Sequence, residues 1–150
     1  MDKKDLKIIA QLRTDARMPM TNLSRKTSIP VTTIFDRIKA HKENNVVKKF
    51  TSLLNFEELG YTTRANIALK VDSSDKEALR EHLIKNENVN SVSRINNGYD
   101  FMIEGIFKQM MDMENFLDSL EQKFKIQDKK SFFIIEDLKK EEFMTNDIFI

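Results

Sequence analysis

TNLSRKTSIPVTTIFDRIKAH, residues 21–41, reads as two helices separated by a break at Pro30. Proline has no backbone N–H and its φ is fixed near the helical value, so it favours the first position of a new helix. We therefore expect one helix over residues 20–27 and a second over residues 30–43. Two helices joined by a tight turn are typical of a helix-turn-helix, whose second helix enters the major groove of DNA.

A further helix is expected ahead of this pair, over residues 2–15, because apolar residues recur there at helical spacing. After the pair, residues 46–50 read as a short strand or wing. The inner face of helix 30–43 is expected to contain Val31, Ile34, Ile38 and either Phe35 or His41.

The outer face of helix 30–43 carries hydroxyl and basic side chains that suit DNA. Thr and Arg near the start of such a helix reach base edges, and Lys reaches phosphates, with Arg37 as the strongest single candidate. A plain three-helix bundle fits the same pattern: its threonines cap the helix, Arg37 pairs with Asp36 or Glu43, and its lysines are solvated. The predicted DNA contacts are Arg25, Lys26, Thr32, Thr33, Arg37, Lys39, Lys42, Lys48 and Lys49.

The charge distribution supports double-stranded DNA as a partner. Residues 1–55 contain 12 Lys/Arg and 5 Asp/Glu, a balance of +7, whereas residues 56–150 contain 13 and 19, a balance of −6. A basic front half on an acidic back half suggests that the front half meets a polyanion.

From residue 64 the hydrophobic period changes from helical to alternating. Asn96-Asn97-Gly98 is a strong signal for a hairpin turn. The fold class is therefore α+β, with an N-terminal winged helix-turn-helix domain and a C-terminal ferredoxin-like βαββαβ domain. The predicted elements are strands over 64–71, 89–95, 99–107 and 131–138, and helices over 75–87 and 109–124.

The composition excludes several classes of site. The chain has no Cys, which excludes disulfides, thiolate metal ligands and thiol nucleophiles, and it has only two His residues. No apolar run is long enough to span a membrane, and the first residues lack the apolar stretch of a signal peptide. We expect no catalytic site, no metal, no cofactor, no membrane association, and a cytoplasmic location.

Short segments from both halves of the chain resemble, in order and spacing, the Lrp/AsnC or feast/famine family of regulators. The first half supplies the helix-turn-helix motifs, and the second supplies a hinge and a hairpin. These segments are DLKIIAQL (5–12), LSRK (23–26), VVKKFT (46–51), LN with LG (54–60) and YDF (99–101).

The resemblance implies a transcription regulator that forms homodimers, often assembled into octamers or other higher oligomers. It also implies an effector, commonly an amino acid, bound between dimers near the YDF hairpin. A carboxylate at Asp100 could accept the α-ammonium group while hairpin N–H groups hold the carboxylate, and the alternative is a turn-capping Asp without a ligand. The predicted effector-binding residues are Asn96, Asn97, Gly98, Tyr99 and Asp100.

The chain departs from the family pattern at two positions of the helix-turn-helix. Ser28 replaces the turn glycine, which costs about 1 kcal/mol if φ is positive, and Asp36 stands where Arg is common. Two alternative functions therefore remain open. One is a nucleoid-associated protein that coats DNA, and the other is a sirohaem-decarboxylase-like enzyme, which the acidic second half with its single His82 disfavours.

The expected domain organisation has four parts. The last of them is rich in apolar residues, and such a tail packs either on its own chain or on a neighbouring one. The parts are a DNA-binding domain (1–50), a connector and hinge (51–62), an oligomerisation and effector domain (63–140) and a C-terminal tail (141–150).

Overall fold

The computed structural model describes residues 1–150, which divide into two compact units. The N-terminal unit contains residues 1–53 together with 138–150, and the C-terminal unit contains residues 54–137. None of the helices combines the length and the apolar character needed to cross a lipid bilayer.

Three helices form the N-terminal unit, as the sequence predicts. They are α1 (Lys3–Thr14), α2 (Met20–Thr27) and α3 (Val31–Glu43). Their shared core is small and apolar, and each of the three helices contributes at least one buried side chain to it. Its fully buried members are Ile8, Leu23, Ile29 and Ile34.

The turn between α2 and α3 has a left-handed backbone at Ser28, the case for which the sequence predicts a cost. Ser28 has φ 58° and ψ 35°, and its N–H donates to the Ser24 carbonyl at 2.8 Å. The Ser24 hydroxyl donates in turn to the Ile29 carbonyl at 2.6 Å. A serine replaces the usual glycine here at a cost of about 1 kcal/mol, and these two bonds help to fix the turn that orients α3.

The strand or wing predicted over residues 46–50 is absent. The chain turns at Asn45, which has φ 58°, and the N–H groups of Val46 and Val47 both donate to the His41 carbonyl. No other segment forms a ladder with these residues. A β-strand exists only through hydrogen bonds to a neighbouring strand, so apolar character alone does not produce one.

The C-terminal tail packs on the N-terminal unit of its own chain, and its Phe143 and Ile148 side chains stay exposed. Arg13 of α1 donates from Nε to the Phe143 carbonyl at 2.9 Å, and its Nη1 lies 3.1 Å from Glu141 Oε2. The Phe143 ring packs against Phe149 with centroids 5.0 Å apart. The tail therefore packs against α1 through polar contacts, while its two phenylalanine rings pack on each other.

The C-terminal unit has the predicted βαββαβ order, and its four strands form one antiparallel sheet in the order β2-β3-β1-β4. Alternate strand residues such as Ile67, Leu69 and Ile103 pack with the buried faces of the two helices. The elements are β1 (Thr63–Val71), α4 (Lys76–Lys85), β2 (Val89–Arg94), β3 (Phe101–Phe107), α5 (Met110–Lys123) and β4 (Ile126–Phe133).

The last strand lies five residues earlier than predicted. The prediction, 131–138, was centred on an apolar run, but β4 pairs with β1 from Ile126 to Phe133. Most side chains of β4 are exposed, because the strand is at the edge of the sheet. An edge strand is held by its backbone ladder, so its position does not follow hydrophobicity.

Candidate nucleic-acid interface and effector hairpin

The outer face of α3 is open to solvent at the start of the helix. Val31, Thr32, Phe35 and Asp36 are exposed there, and Lys39 follows about one turn later. This end of a helix is the part that approaches base edges when a helix-turn-helix binds the major groove.

Arg37 is engaged within the N-terminal unit. Its Nη1 donates to Asp2 Oδ1 at 2.7 Å and to Asp5 Oδ1 at 2.9 Å, and these bonds raise the pKa of Arg37 above its usual value. Its partners therefore come from the start of α1, and they are not the nearby Asp36 and Glu43 that the sequence suggested. The guanidinium ties α3 to α1.

Asp5 is the centre of a group that we call the Asp5 cluster: Asp2, Asp5, Arg37 and His41. Asp2 and Asp5 form a capping box, in which each carboxylate accepts the other residue's N–H at 2.9 Å. His41 Nε2 lies 2.9 Å from Asp5 Oδ1. Burial alone would raise the pKa of Asp5, but the bonds from the Asp2 N–H, His41 and Arg37 outweigh it and hold the pKa well below its usual value.

His41 lies on the inner face of α3 with Ile34 and Ile38. Val31, which is predicted there, is 39% exposed, and Phe35 is also outside that face. The His41 side chain is 12% exposed, whereas Phe35 is 58% exposed. Successive residues of a helix are rotated by about 100° around its axis, so Phe35 and His41 point in different directions and only one of them can face the core. Because its Nε2 is bonded to the buried carboxylate of Asp5, His41 is unavailable to a phosphate.

Seven of the nine predicted DNA contacts are exposed, while Thr33 and Arg37 are half-buried. Lys42 reaches the segment after α3, where its Nζ donates to the Lys48 carbonyl at 2.8 Å and lies 5.8 Å from the centre of the Phe50 ring. The structure therefore brings Lys42 together with residues 48–50. The exposed contacts are Arg25, Lys26, Thr32, Lys39, Lys42, Lys48 and Lys49.

The predicted effector hairpin forms the turn between β2 and β3. Asn97 and Gly98 have φ of 65° and 84°, the left-handed pair that a tight hairpin requires, and the N–H of Ile95 donates to the Asp100 carbonyl at 3.2 Å. The hairpin signal of the sequence is thus correct. Asn96, Asn97 and Gly98 are exposed.

The side chains of Tyr99 and Asp100 bind groups of the fold. Asp100 Oδ2 accepts the N–H of Val71 at 2.9 Å and Oδ1 lies 3.3 Å from Lys76 Nζ; the Val71 N–H and then Lys76 lower the pKa of Asp100. The Tyr99 hydroxyl donates to Asp128 at 2.8 Å, which raises the pKa of the phenol. Both side chains therefore fasten the hairpin to neighbouring strands.

A cavity of about 870 Å³ lies elsewhere in the C-terminal unit. Phe56, Tyr61, His82 and Asn115 are among the residues that line it, and none of residues 96–100 does. Burial and the nearby charge of Lys123 lower the pKa of His82. No local pattern predicts this cavity, because its walls come from segments far apart in the chain.

Two family descriptions match the chain. The AsnC-type helix-turn-helix domain matches residues 1–40, and the Lrp/AsnC ligand binding domain matches residues 64–143. The HTH-type transcriptional regulator FL11 of Pyrococcus furiosus is 34% identical over 118 residues, which are 79% of this chain and 78% of the relative.

Solved structures share the fold. The transcriptional regulator NMB0573 of Neisseria meningitidis, in complex with L-Met, has a TM-score of 0.86 at 22% identity and covers 93% of both chains. LrpC of B. subtilis has a TM-score of 0.84 at 20% identity, over 93% of this chain and 97% of its own.

The matches favour a regulator among the functions considered above. The curated relatives are named as transcriptional regulators, so the enzyme alternative is not favoured. The chain belongs to the Lrp/AsnC family of transcriptional regulators, with an N-terminal DNA-binding helix-turn-helix domain and a C-terminal ligand-binding domain.

Proposed function

We propose that this regulator binds duplex DNA in a sequence-specific manner, with α3 in the major groove. The observation that carries the proposal is the exposed start of α3, held in place by the Ser28 turn and by the Asp5 cluster. Thr32 and Thr33 contact base edges in this arrangement. The proposed phosphate contacts are Arg25, Lys26, Lys39, Lys42, Lys48 and Lys49.

For Arg37 we propose an orienting role. Its Nη1 already donates to two carboxylates, so moving the guanidinium to DNA would leave Asp2 and Asp5 without that partner. An arginine that fixes the angle between α1 and α3 acts on DNA affinity through the position of the helix.

We further propose that the regulator acts as a homodimer. The sheet carries its helices on one face, and on β4 the large apolar side chain of Phe132 is 56% exposed. A second copy that covers exposed apolar surface of this kind would present two copies of α3 to two half-sites of a palindromic operator.

The DNA proposal is tested by fluorescence anisotropy on the duplex upstream of the protein's own gene, against a scrambled duplex, at low and physiological salt. We expect a preference of about 10³-fold or more. Lys39→Ala should weaken binding to both duplexes and reduce the slope of log affinity against log salt by about one unit, because one phosphate contact is lost. Lys85→Ala, an exposed lysine of the C-terminal unit, is the matched control.

Two results would contradict this proposal in different ways. Equal and salt-sensitive binding to both duplexes would instead support the DNA-coating role. If the folded protein binds neither duplex, it makes no direct contact with DNA and the proposal is wrong.

We propose that the hairpin at residues 96–100 takes part in binding an amino-acid effector. Support comes from the match to a ligand-binding domain and from the L-Met complex of the Neisseria meningitidis regulator. The N–H groups of the Asn97-Gly98 turn suit a carboxylate, and the Asp100 carboxylate suits an ammonium group.

Asp100→Asn separates the two roles of Asp100. The amide oxygen can still accept the Val71 N–H, so the fold is retained, but the charge that would hold an ammonium group is lost. In isothermal titration with L-Met and other amino acids, we expect the variant to lose the binding heat of the wild type. Asp118→Asn, at an exposed position of α5, is the control, and an unchanged heat in Asp100→Asn contradicts the assignment of Asp100.

A further inference from the structure

Two large apolar side chains are exposed on the face of α3 that the proposed function turns toward DNA. Phe35 is 58% exposed and Val31 is 39% exposed. They are four residues apart, so they lie on the same side of the helix in its first two turns. A cluster of exposed apolar groups at the start of a recognition helix indicates a surface that another molecule covers.

We infer that Phe35, together with Val31, reads the C5-methyl group of thymine in the major groove. This inference rests on the proposed function, because it requires α3 to enter that groove. The thymine methyl is the apolar feature of a base edge in the groove, and Phe is among the side chains that contact it.

The polar neighbours of Phe35 also favour DNA as the molecule that covers it. Lys39, one turn later, supplies positive charge, and the N-terminal part of the chain is basic. Asp36 would be repelled by phosphates, so a docked helix places it toward the bases, where a carboxylate can accept from the cytosine amino group. A hydrophobic protein partner would leave the negative charge of Asp36 and the positive charge of Lys39 without a role.

Recognition of a thymine methyl group is also favoured because α3 has no free arginine to bind guanine. Specific recognition of guanine most often uses Arg or Lys on its O6 and N7 atoms. Arg37 is the only arginine of α3, and it donates to Asp2 and Asp5. The exposed start of the helix therefore presents methyl, hydroxyl and aromatic groups beside the Asp36 carboxylate, without a free guanidinium, and we expect operators in which A·T pairs face Phe35.

The test begins with selection of duplexes from a random-sequence library by the wild-type protein. In the selected duplex each thymine is then replaced by deoxyuridine, which removes only the methyl group. We expect a loss of affinity of about fourfold at one thymine in each half-site, the size of one buried methyl group, and little change elsewhere. Wild-type binding to an unselected duplex should not respond to the replacement.

Phe35→Ala provides the second arm. Alanine favours helix and the site is exposed, so the fold should be retained, which circular dichroism checks. The variant should lose about tenfold or more on the selected duplex, keep its affinity for an unselected duplex, and no longer respond to deoxyuridine. Ile84→Ala, an exposed apolar residue of α4, is the matched control.

The outcomes distinguish this inference from the function on which it rests. Selection of no sequence by the wild type overturns the sequence-specific function and this inference with it. Enrichment of a sequence without any thymine that responds to deoxyuridine overturns the inference alone. A change of oligomeric state in Phe35→Ala with unchanged DNA binding also overturns it, because Phe35 would then belong to a protein interface.

Discussion

Ile34→Ala is expected to lower the free energy of unfolding of the N-terminal unit by about 2–5 kcal/mol. Ile34 has no exposed surface and packs against Ile8, Leu23 and Ile29. Truncation to alanine leaves a cavity where α3 meets the other two helices, and a core this small cannot refill it. A unit of this size is only marginally stable, so we also expect DNA binding to be lost at physiological temperature.

Thermal unfolding followed by two probes locates this effect. Tyr61 and Tyr99 are the only tyrosines of a chain without Trp, and both lie in the C-terminal unit, whereas circular dichroism also reports α1, α2 and α3. We expect the midpoint of the dichroism transition to fall more than that of tyrosine fluorescence. Val31→Ala, on the exposed face of the same helix, should change stability by less than about 0.5 kcal/mol. A loss below about 1 kcal/mol for Ile34→Ala would show that the core tolerates the cavity.

The helices of the N-terminal unit could be predicted from sequence because local signals define them. Pro30 marks the start of α3, and the positive φ of Ser28 follows from the need to turn the chain between two helices. Each signal acts over one or two turns, so the sequence alone contains it. The bounds of α2 agree with the prediction, and those of α1 and α3 differ by a residue at most.

The errors in the strands have the opposite cause. Whether residues 46–50 form a strand depends on a partner segment, and where β4 begins depends on its register with β1. Neither property is local. Hydrophobicity placed the last strand over residues 131–138, but exposed residues of an edge strand can be polar or apolar without changing its ladder.

The Asp5 cluster could not be seen in the sequence for the same reason. Asp5 and Arg37 are 32 residues apart, whereas the helical pattern relates Arg37 only to acids of its own helix, Asp36 and Glu43. The helix dipole favours acids in the first turn of any helix, whether or not their carboxylates have further partners. The spacing of Asp2 and Asp5 was the available signal for the capping box, and nothing local indicated that their carboxylates also accept from α3.

Asp5→Ala is expected to lower the free energy of unfolding of the N-terminal unit by about 2 kcal/mol at neutral pH, since it removes half of the capping box and the acceptor of two further donors. Asp5 is 8% exposed, and its carboxylate binds the Asp2 N–H, Arg37 and His41. Because the last two belong to α3, the change should also weaken sequence-specific DNA binding. Asp36→Ala, on the exposed face of α3, should leave stability within about 0.5 kcal/mol of the wild type.

The pH dependence of this stability has a definite sign. The pKa of Asp5 is lower in the folded state than the value of about 3.9 in an unfolded chain. Above that value both states are ionised and the full stabilisation is present; as the pH falls below about 4, the unfolded chain takes up the proton first, and the stabilisation is lost by the time the folded pKa is passed. Urea unfolding of the wild type and Asp5→Ala at pH 7 and at pH 3 should therefore show a difference that narrows in acid. A difference that is equal at both pH values would mean that Asp5 stabilises α3 by packing, without its charge.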